Sequence, residues 1–389
     1  MMPLKILFVL LVASACNYYS NNGSNYLVVS AYTPHSSKMV SSELNKKSTA
    51  LQVLQVLNDS KKLASYVTTS KNAADGKSDD QGVAVVTGGN SGIGSVTVET
   101  LALTGMKIVL CCRNAKDGER VLDGLSTDWC RANVRVQSLD LSDLDSIESC
   151  VNEIIQKEGR IDLLLNNAGI MALPKRETTK QNFEQQLGVN HIGHFFLTRL
   201  LLPHMNDNGR VVSVASIAHS NGKLDLSNLN YDPDSSSKRR YSPWGAYGQS
   251  KLANVLFAKT LNEKLREETD GAADRGILSV SLHPGVISTG LWKHSISSWL
   301  KPILNAIVTD KTVEQGAATN VYTSLVDGSE LDGGGGYFKD CANAKPSESG
   351  SNSKLGNQLW IETEKMIENA GYSLPKTLSK SEVCSEVME

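Results

Sequence analysis

The feature that most constrains this chain is a regular alternation of short apolar runs with helical stretches, which begins at Val83. Runs of this kind, rich in Val, Ile and Leu, are typical of strands buried on both faces. They cover residues 83–86, 107–111, 134–139, 161–165, 210–214 and 277–282. Strands that alternate with helices predict an α/β fold: a single Rossmann-type, doubly wound parallel sheet with helices on both faces. Such sheets bind ligands at the carboxyl ends of their strands.

The first predicted strand leads into a glycine-rich turn with the spacing G-x-x-x-G-x-G, and a helix follows. Glycine permits a tight turn and close approach of the backbone to a ligand, and a helix N-terminus attracts pyrophosphate. A purely structural turn is the alternative. We favour a dinucleotide site because a strand precedes the turn and a helix follows it. The residues expected to contact the cofactor here are Gly88, Asn90, Ser91, Gly92, Ile93 and Gly94.

The residues after the second predicted strand bear on which dinucleotide is bound. A fold selective for NAD places an acid there, on the ribose 2′-hydroxyl, whereas this chain reads Cys112-Arg113-Asn114. A guanidinium pairs well with phosphate, so Arg113 favours NADP(H). An ordinary solvated arginine is the alternative. After the third strand, Asp140 and Leu141 are expected near the adenine, with a helix-capping role for Asp140 as the alternative.

Amide and hydroxyl side chains follow the fourth and fifth predicted strands. Asn167, Ala168 and Gly169 can satisfy backbone groups beside a bound cofactor, although an ordinary turn has the same composition. Asn190 lies within a helical stretch, where Asn is a weak helix former and therefore suggests a polar task. Ser216 closes the fifth strand, a position that more often holds a simple turn residue.

Tyr247 and Lys251 open a strong helical pattern at residues 246–264. Residues four apart lie one turn from each other on the same helix face. An ammonium near a phenol lowers the pKa of the tyrosine from its usual value of about 10, which suits a general acid or base near neutral pH. The pattern alone is common, and a chance pair on an amphipathic helix is the alternative.

Five motifs that occur in order together resemble those of the short-chain dehydrogenase/reductase family, over about residues 82–372. They are Thr87-Gly88-x-x-x-Gly92-Ile93-Gly94, Asn166-Asn167-Ala168-Gly169, Ser216, Tyr247-x-x-x-Lys251 and His283-Pro284-Gly285. Finer features resemble the retinol-dehydrogenase-like branch of that family, at residues 189–195, 216–219, 250–254, 336–341 and 359–360.

The resemblance implies roles for single residues. Tyr247 would donate a proton to the carbonyl oxygen during reduction, and Lys251 would lower its pKa and hold the nicotinamide ribose. Ser216 would bind the substrate oxygen, Asn190 would help hold a proton-relay water, and the cofactor would supply the hydride. Further cofactor contacts are implied for Pro284, Gly285, Val286 and Thr289.

The branch also implies NADP(H) and a lipophilic carbonyl or alcohol substrate of retinoid, steroid or lipid-aldehyde type. The family's mobile substrate lid corresponds to residues 289–307. The apolar side chains of this segment suggest a lipophilic substrate or peripheral contact with a membrane. Packing on the domain is the alternative. The sequence departs from the family pattern at two places. Ala215 stands where a second Ser is often found. The polar segment before Tyr247, which includes residues 238–240, is longer than in the family and is expected to alter the rim of the pocket.

A different class of function stays open: an NADPH-sensing regulatory protein on the same fold. The complete set of Ser216, Tyr247 and Lys251 favours the enzyme, because sensing needs no proton donor. Homo-oligomerisation also stays open.

Composition excludes other classes. The 389 residues carry a formal net charge of -2 with a pI of about 6.4, which does not suggest a nucleic-acid partner. Seven cysteines without C-x-x-C spacing or a Cys/His cluster predict no metal site. Cys111 and Cys112 lie in an apolar run and are expected to be buried strand residues.

The N-terminal residues predict a targeting signal. Lys5, an apolar core and Ala13-Ser14-Ala15 form a signal-peptide pattern at residues 1–15, with an uncleaved anchor or a lipoprotein site at Cys16 as alternatives. Residues 16–80 are expected to be a flexible polar leader, 81–375 the dinucleotide-binding domain and 376–389 a flexible tail.

The signal pattern predicts entry into the endomembrane system, in the lumen or membrane of the endoplasmic reticulum. A two-part leader like that of algae with complex plastids is the alternative. Two glycosylation sequons, at Asn22 and Asn58, fall in the leader and matter only if the chain passes through the lumen.

Overall fold

The computed structural model describes residues 43–67, 81–237, 239–268, 275–287 and 311–378. The predicted signal peptide, the predicted lid and most of the predicted tail lie outside these ranges. The strands are β1 (Val83–Thr87), β2 (Lys107–Cys112), β3 (Val134–Ser138), β4 (Ile161–Asn166), β5 (Met205–Val214), β6 (Leu278–His283), β7 (Tyr337–Lys339) and β8 (Ala342–Ala344). The α-helices are α1 (Ala50–Asp59), α2 (Gly92–Ala102), α3 (Ala115–Asp123), α4 (Asp128–Ala132), α5 (Leu144–Glu158), α6 (Gln185–Leu187), α7 (Gly193–Leu201), α8 (Pro243–Glu267), α9 (Val313–Leu325) and α10 (Ser353–Asn369).

The strands form one sheet in the order β3-β2-β1-β4-β5-β6-β7-β8, with every neighbouring pair parallel except β7 and β8. The predicted α/β fold and its six parallel strands are confirmed. Strand order reverses beside β1, at the switch point where sheets of this kind bind ligands. β7 and β8 were not predicted, because each has only three residues, too few for the alternation of a strand to be recognised in the sequence.

Alternate side chains of the strands pack into two hydrophobic cores on opposite faces of the sheet. On one face Ala84 and Val86 of β1 belong to a core shared with α1, α2 and α9. On the other face Val83 and Val85 belong to a core shared with α5, α7, α8 and α10. Because both faces are covered, β1 and β4 are buried along their whole length, as the sequence pattern indicated.

The expectation of a flexible leader is wrong for residues 43–67. α1 begins with a capping box in which Thr49 and Gln52 exchange side-chain and backbone hydrogen bonds. It buries Ala50, Val53 and Leu57 against α9 and α2. The chain then runs beside α9, where the backbone N–H of Ala64 donates to Leu325 over 2.7 Å. Apolar residues at helical spacing supplied a buried face that the polar composition around them concealed.

The boundary of the tail also differs from the prediction. Leu378 is buried, and its backbone N–H donates to the carboxylate of Glu268 on the segment after α8. The domain therefore extends at least to Leu378 rather than ending at residue 375.

Candidate active site

The carboxyl ends of β1 to β6 border a single cavity of about 870 Å³. Nearly all of the site residues expected from the sequence line it, although they come from segments spread over some two hundred residues of chain. They are Gly88, Asn90, Ser91, Gly92, Ile93, Gly94, Arg113, Asp140, Leu141, Asn167, Ala168, Gly169, Ser216, Tyr247, Lys251, Pro284, Gly285 and Val286. Asn190 is buried behind the wall, and Thr289 lies outside the described residues.

The glycine turn after β1 can be built only with glycine. Gly88 has a φ of 65°, and a Cβ there would lie 2.8 Å from the Cα of Ala168. A Cβ on Gly94 would lie 2.2 Å from the carbonyl oxygen of Gly88. The N-cap residue of α2, Ser91, makes no side-chain capping bond, and the first turn of the helix lines the cavity. This arrangement leaves helix N–H groups and their partial positive charge at the cavity, as pyrophosphate binding requires.

A buried Thr–His pair joins the end of β1 to the loop after β4, and sequence reasoning missed its role. The backbone N–H groups of Asn167 and Ala168 both donate to the hydroxyl of Thr87, over 2.9 and 3.0 Å. His194 Nδ1 donates to the carbonyl oxygen of Asn190, so Nε2 carries no proton and accepts from the Thr87 hydroxyl over 2.8 Å. Burial lowers the pKa of His194 to about 4, which keeps this tautomer neutral.

Asn190 lies in a π-helical turn, Gly188–Ile192, between α6 and α7. Its Oδ1 accepts from the backbone N–H of Ile170, and its Nδ2 donates to the Ile170 carbonyl and to Ser250. Asn190 therefore has the polar role expected of it: its side chain holds the segment after β4 through two hydrogen bonds to the backbone of Ile170. A Cβ on Gly169 would lie 3.2 Å from Asn190 Oδ1 and 3.4 Å from Lys251 Nζ, so both side chains reach the back of the same loop.

Tyr247 and Lys251 lie on α8 with their side chains almost fully buried. Lys251 Nζ donates to the carbonyl oxygen of Val214 over 2.9 Å and lies 5.9 Å from the centre of the Tyr247 ring. Burial lowers the pKa of Lys251 to about 8. Burial raises the pKa of Tyr247, while the Ser216 side chain works in the opposite direction.

Burial of the phenol therefore outweighs the lowering of the Tyr247 pKa that the four-residue spacing predicts, and the effect of Lys251 on Tyr247 stays a prediction. Four-residue spacing placed the two side chains on one face, but it carried no information about desolvation. Removing the phenol from water disfavours its charged form, and the ammonium is held by the Val214 carbonyl rather than by the phenol oxygen.

The corner of the cavity after β2 contains one basic and one acidic side chain. Arg113 is exposed and lines the cavity, and so does the half-buried Asp117 on the first turn of α3. Asp117 Oδ1 is paired with Arg120 Nη1 over 2.8 Å. Sequence reasoning found no acid at the strand end and missed Asp117, because the turn of α3 brings it back to the same corner. Asp140 accepts bonds from the backbone and hydroxyl of Ser142 beside this corner.

The loop after β6 also has a support that the sequence did not reveal. Gly285 has a φ of 100°, and a Cβ there would lie 2.5 Å from Cδ of Lys311. Lys311 is itself buried and pairs with Asp340 over 2.5 Å. Lys311 therefore packs beneath the Pro284–Val286 loop that lines the cavity.

The other end of the cavity is apolar. Ile217 and Trp244 are 48% and 49% exposed, unusual for such large apolar residues, and both line the cavity. The Trp244 ring lies edge-on to Tyr247, with centroids 6.1 Å apart. Ile170, Met171 and Leu173 complete the wall. Arg239, from the polar segment expected at the rim, instead bonds to Gln249 and stacks over Tyr231.

Two negative findings apply to the described ranges alone. Within them no group of three or more His, Cys, Asp or Glu side chains has the arrangement of a metal site. No helix of the described chain combines the length and apolar composition needed to cross a bilayer. Cys111 and Cys112 are buried free thiols in β2, as expected.

Comparison with known proteins places the chain among enzymes. A sequence model described as short chain dehydrogenase matches residues 82–228. Human retinol dehydrogenase 11 is 36% identical over 303 residues, which cover 77% of this chain and 88% of the relative. Human retinol dehydrogenase 12 is 37% identical, with 72% and 84% covered. The chloroplastic short-chain dehydrogenase TIC 32 A of Brassica napus is 34% identical, with 74% and 88% covered.

Solved structures share the fold. A crystal structure of an uncharacterised protein from Mycobacterium Paratuberculosis has a TM-score of 0.59 and 31% identity, and the match covers 76% of this chain and 95% of that one. A metagenomic blue fluorescent protein, solved in complex with NADPH, has a TM-score of 0.50 and 24% identity, with 66% and 95% covered.

Proposed function

Because this chain belongs to the short-chain dehydrogenase/reductase family of oxidoreductases, in its retinol-dehydrogenase-like branch, we propose that it interconverts a carbonyl and an alcohol on a lipophilic small molecule with NADP(H). The observation that carries this proposal is the single cavity that joins the glycine turn, the buried Tyr247 and Lys251, and an apolar wall. One end of the cavity suits a dinucleotide and the other end suits a lipophilic substrate, with a proton donor between them.

The residues present fit a nicotinamide dinucleotide. Gly88 and Gly94 allow the tight turn, because a Cβ at either would clash with Ala168 or with the Gly88 carbonyl, and the N-terminus of α2 offers donors to a pyrophosphate. Lys251 would hold the nicotinamide ribose. When bound, the cofactor supplies or accepts the hydride.

The protein's own contribution is to place and transfer a proton. The raised pKa of Tyr247 keeps its phenol neutral at pH 7, so that it can donate to the oxygen of a carbonyl substrate. Ser216, which lines the same cavity as Tyr247, would bind the same oxygen. Lys251 is protonated below a pH of about 8, and its charge favours the phenolate that remains after transfer.

The apolar wall supports a lipophilic substrate. Ile217 and Trp244 flank the cavity with about half of each side chain exposed, which suits contact with a retinoid-, steroid- or lipid-like body. The same exposed pair motivates peripheral contact with a membrane surface. An NADPH-sensing protein is the second candidate, because it would use the same dinucleotide end of the cavity without a proton donor.

We also propose that the chain enters the endomembrane system. The signal pattern at residues 1–15 motivates this, and the chloroplastic relatives keep a plastid destination as the alternative.

The test of the proposed function is turnover with a panel of lipophilic aldehydes and ketones, comparing Tyr247→Phe with the wild type. Phe keeps the ring but removes the transferable proton, and loss of a general acid costs about 10² to 10⁴ in rate. We expect kcat to fall by that factor while the Kd for NADPH is nearly unchanged. A Tyr247→Phe variant that retains more than half of kcat refutes the acid role. A wild type that binds NADPH but reduces nothing favours the sensing protein.

A further inference from the structure

His219 is a buried side chain beside the cavity that the proposed chemistry does not use. It lies on a short 3₁₀ helix, Ile217–Asn221, which begins immediately after Ser216. The side chain is 2% exposed, although histidine titrates near neutral pH and is costly to bury when charged. Its position therefore depends on what its two ring nitrogens bind.

The hydrogen bonds determine which ring nitrogen carries the proton. Nδ1 lies 2.7 Å from the carbonyl oxygen of Ser216, which can only accept, so Nδ1 must donate. The backbone N–H of Ser347 donates to Nε2 over 3.0 Å, so Nε2 must be unprotonated. His219 is thus a neutral Nδ1–H tautomer with both nitrogens satisfied. Protonation of Nε2 would set two donors against each other.

These bonds join two distant parts of the chain at the cavity. The Ser216 carbonyl receives the His219 ring and also the His219 backbone N–H, over 3.1 Å. Ser347 follows β8, and the His219 ring lies 4.9 Å from the ring of Tyr337 on β7. The His219 side chain therefore links the segment that carries Ser216 to the segment after β8, the edge strand.

The orientation of the Ser216 hydroxyl depends on this segment. Ser216 is the N-cap of the 3₁₀ helix, and its hydroxyl accepts from the backbone N–H of Ala218 over 3.3 Å. The same hydroxyl lowers the pKa of Tyr247, against the effect of burial. A shift of the Ser216 carbonyl would move the adjoining Cα, which carries this hydroxyl, and would therefore change the direction of the hydroxyl.

We propose that His219 is a positioning residue. By donating a hydrogen bond to the Ser216 carbonyl, it orients the Ser216 side chain toward Tyr247 and the substrate oxygen. This inference rests on the proposed function for its catalytic consequence, whereas the tautomer and the two ring bonds stand without it. His219 touches neither substrate nor cofactor in this account, so it should affect kcat far more than cofactor binding.

The test compares His219→Leu, which removes both ring bonds, with His219→Asn, whose amide can still donate to the Ser216 carbonyl. Misplacement by 1 Å costs about a hundredfold in rate, so we expect His219→Leu to lower kcat by about tenfold to a hundredfold while the Kd for NADPH stays within about twofold. His219→Asn should recover much of the loss. An unchanged kcat in His219→Leu, or an equal loss of NADPH affinity, overturns the proposal.

A double-mutant cycle with Ser216→Ala separates positioning from general support of the fold. If His219 acts through Ser216, His219→Leu should cost little more once the hydroxyl is gone. Losses that multiply would mean that His219 acts elsewhere and would overturn the proposal.

Side-chain ¹⁵N NMR of the wild-type chain tests the tautomer without a substitution and without turnover. A neutral Nδ1–H imidazole whose signal disappears in His219→Leu is expected, and an Nε2–H tautomer contradicts the arrangement. A wild type that turns over no carbonyl would remove the proposed function and leave the tautomer result standing.

Discussion

Tyr247 and Lys251 illustrate how, at the scale of single residues, burial governs the chemistry of this site. Both side chains are over nine-tenths buried, which raises the pKa of the phenol and lowers that of the ammonium to about 8. At pH 7 the pair is a neutral phenol beside a protonated amine. This combination suits donation of a proton to a carbonyl oxygen.

Cofactor choice is a second question at this scale, and we predict that it depends on Arg113. A charge-assisted bond to a 2′-phosphate is worth about 1.5 to 3 kcal/mol, a tenfold to hundredfold preference. We expect Arg113→Ala to raise the KM for NADPH by that factor and the KM for NADH much less. Steady-state kinetics with both cofactors measures this.

Two further variants sharpen that experiment. Asp117→Asn removes a carboxylate from the same corner and should increase the preference for NADPH by relieving like-charge repulsion. Arg131→Ala removes an arginine that pairs with Asp128 outside the cavity wall, and it should leave the preference unchanged. Equal effects of Arg113→Ala on both cofactors would assign Arg113 a structural role.

At the scale of elements, α1 is the main addition to the predicted fold. It covers part of the face formed by α9 and α2, and the segment after it bonds to the end of α9. α9 in turn begins two residues after Lys311, which packs under the Pro284–Val286 loop. The N-terminal segment therefore belongs to the domain and lies on an element adjacent to the cavity.

The contribution of α1 to stability can be measured with two leucines of one helix. Leu57 is fully buried, and Leu57→Ala should lower the free energy of unfolding by about 2 to 5 kcal/mol through lost burial and a cavity. Leu51 is 38% exposed, and Leu51→Ala should change it by less than about 0.5 kcal/mol. Urea denaturation of the full chain compares the two. Matching small effects would mean that α1 does not stay docked.

At the scale of the whole molecule, the open question is which cellular compartment the chain enters, and the structure supplies a reporter for it. Asn58, the second predicted sequon, is exposed near the end of α1. Entry into the lumen should therefore yield a chain that shifts on treatment with an endoglycosidase. Asn58→Gln should remove one glycan and Asn22→Gln the other. An unshifted chain that retains Met1 in the cytosol would contradict endomembrane entry.

The order of strands and helices could be predicted because it depends on local patterns. Apolar runs bounded by polar residues reveal buried strands, and glycine spacing reveals a turn that other residues cannot form, as at Gly88 and Gly94. Nearly every predicted site residue lines one cavity because parallel strands bring their carboxyl ends to one edge. The sequence by itself thus determined the fold class and the edge at which a ligand would bind.

Only the tertiary structure decided the features that depend on contacts between distant residues. These include the raised pKa of Tyr247, the Thr87–His194 support and the docking of α1. Each arises from desolvation or from hydrogen bonds across a large sequence separation. Local periodicity carries no information about either, because both are set only when the elements have packed.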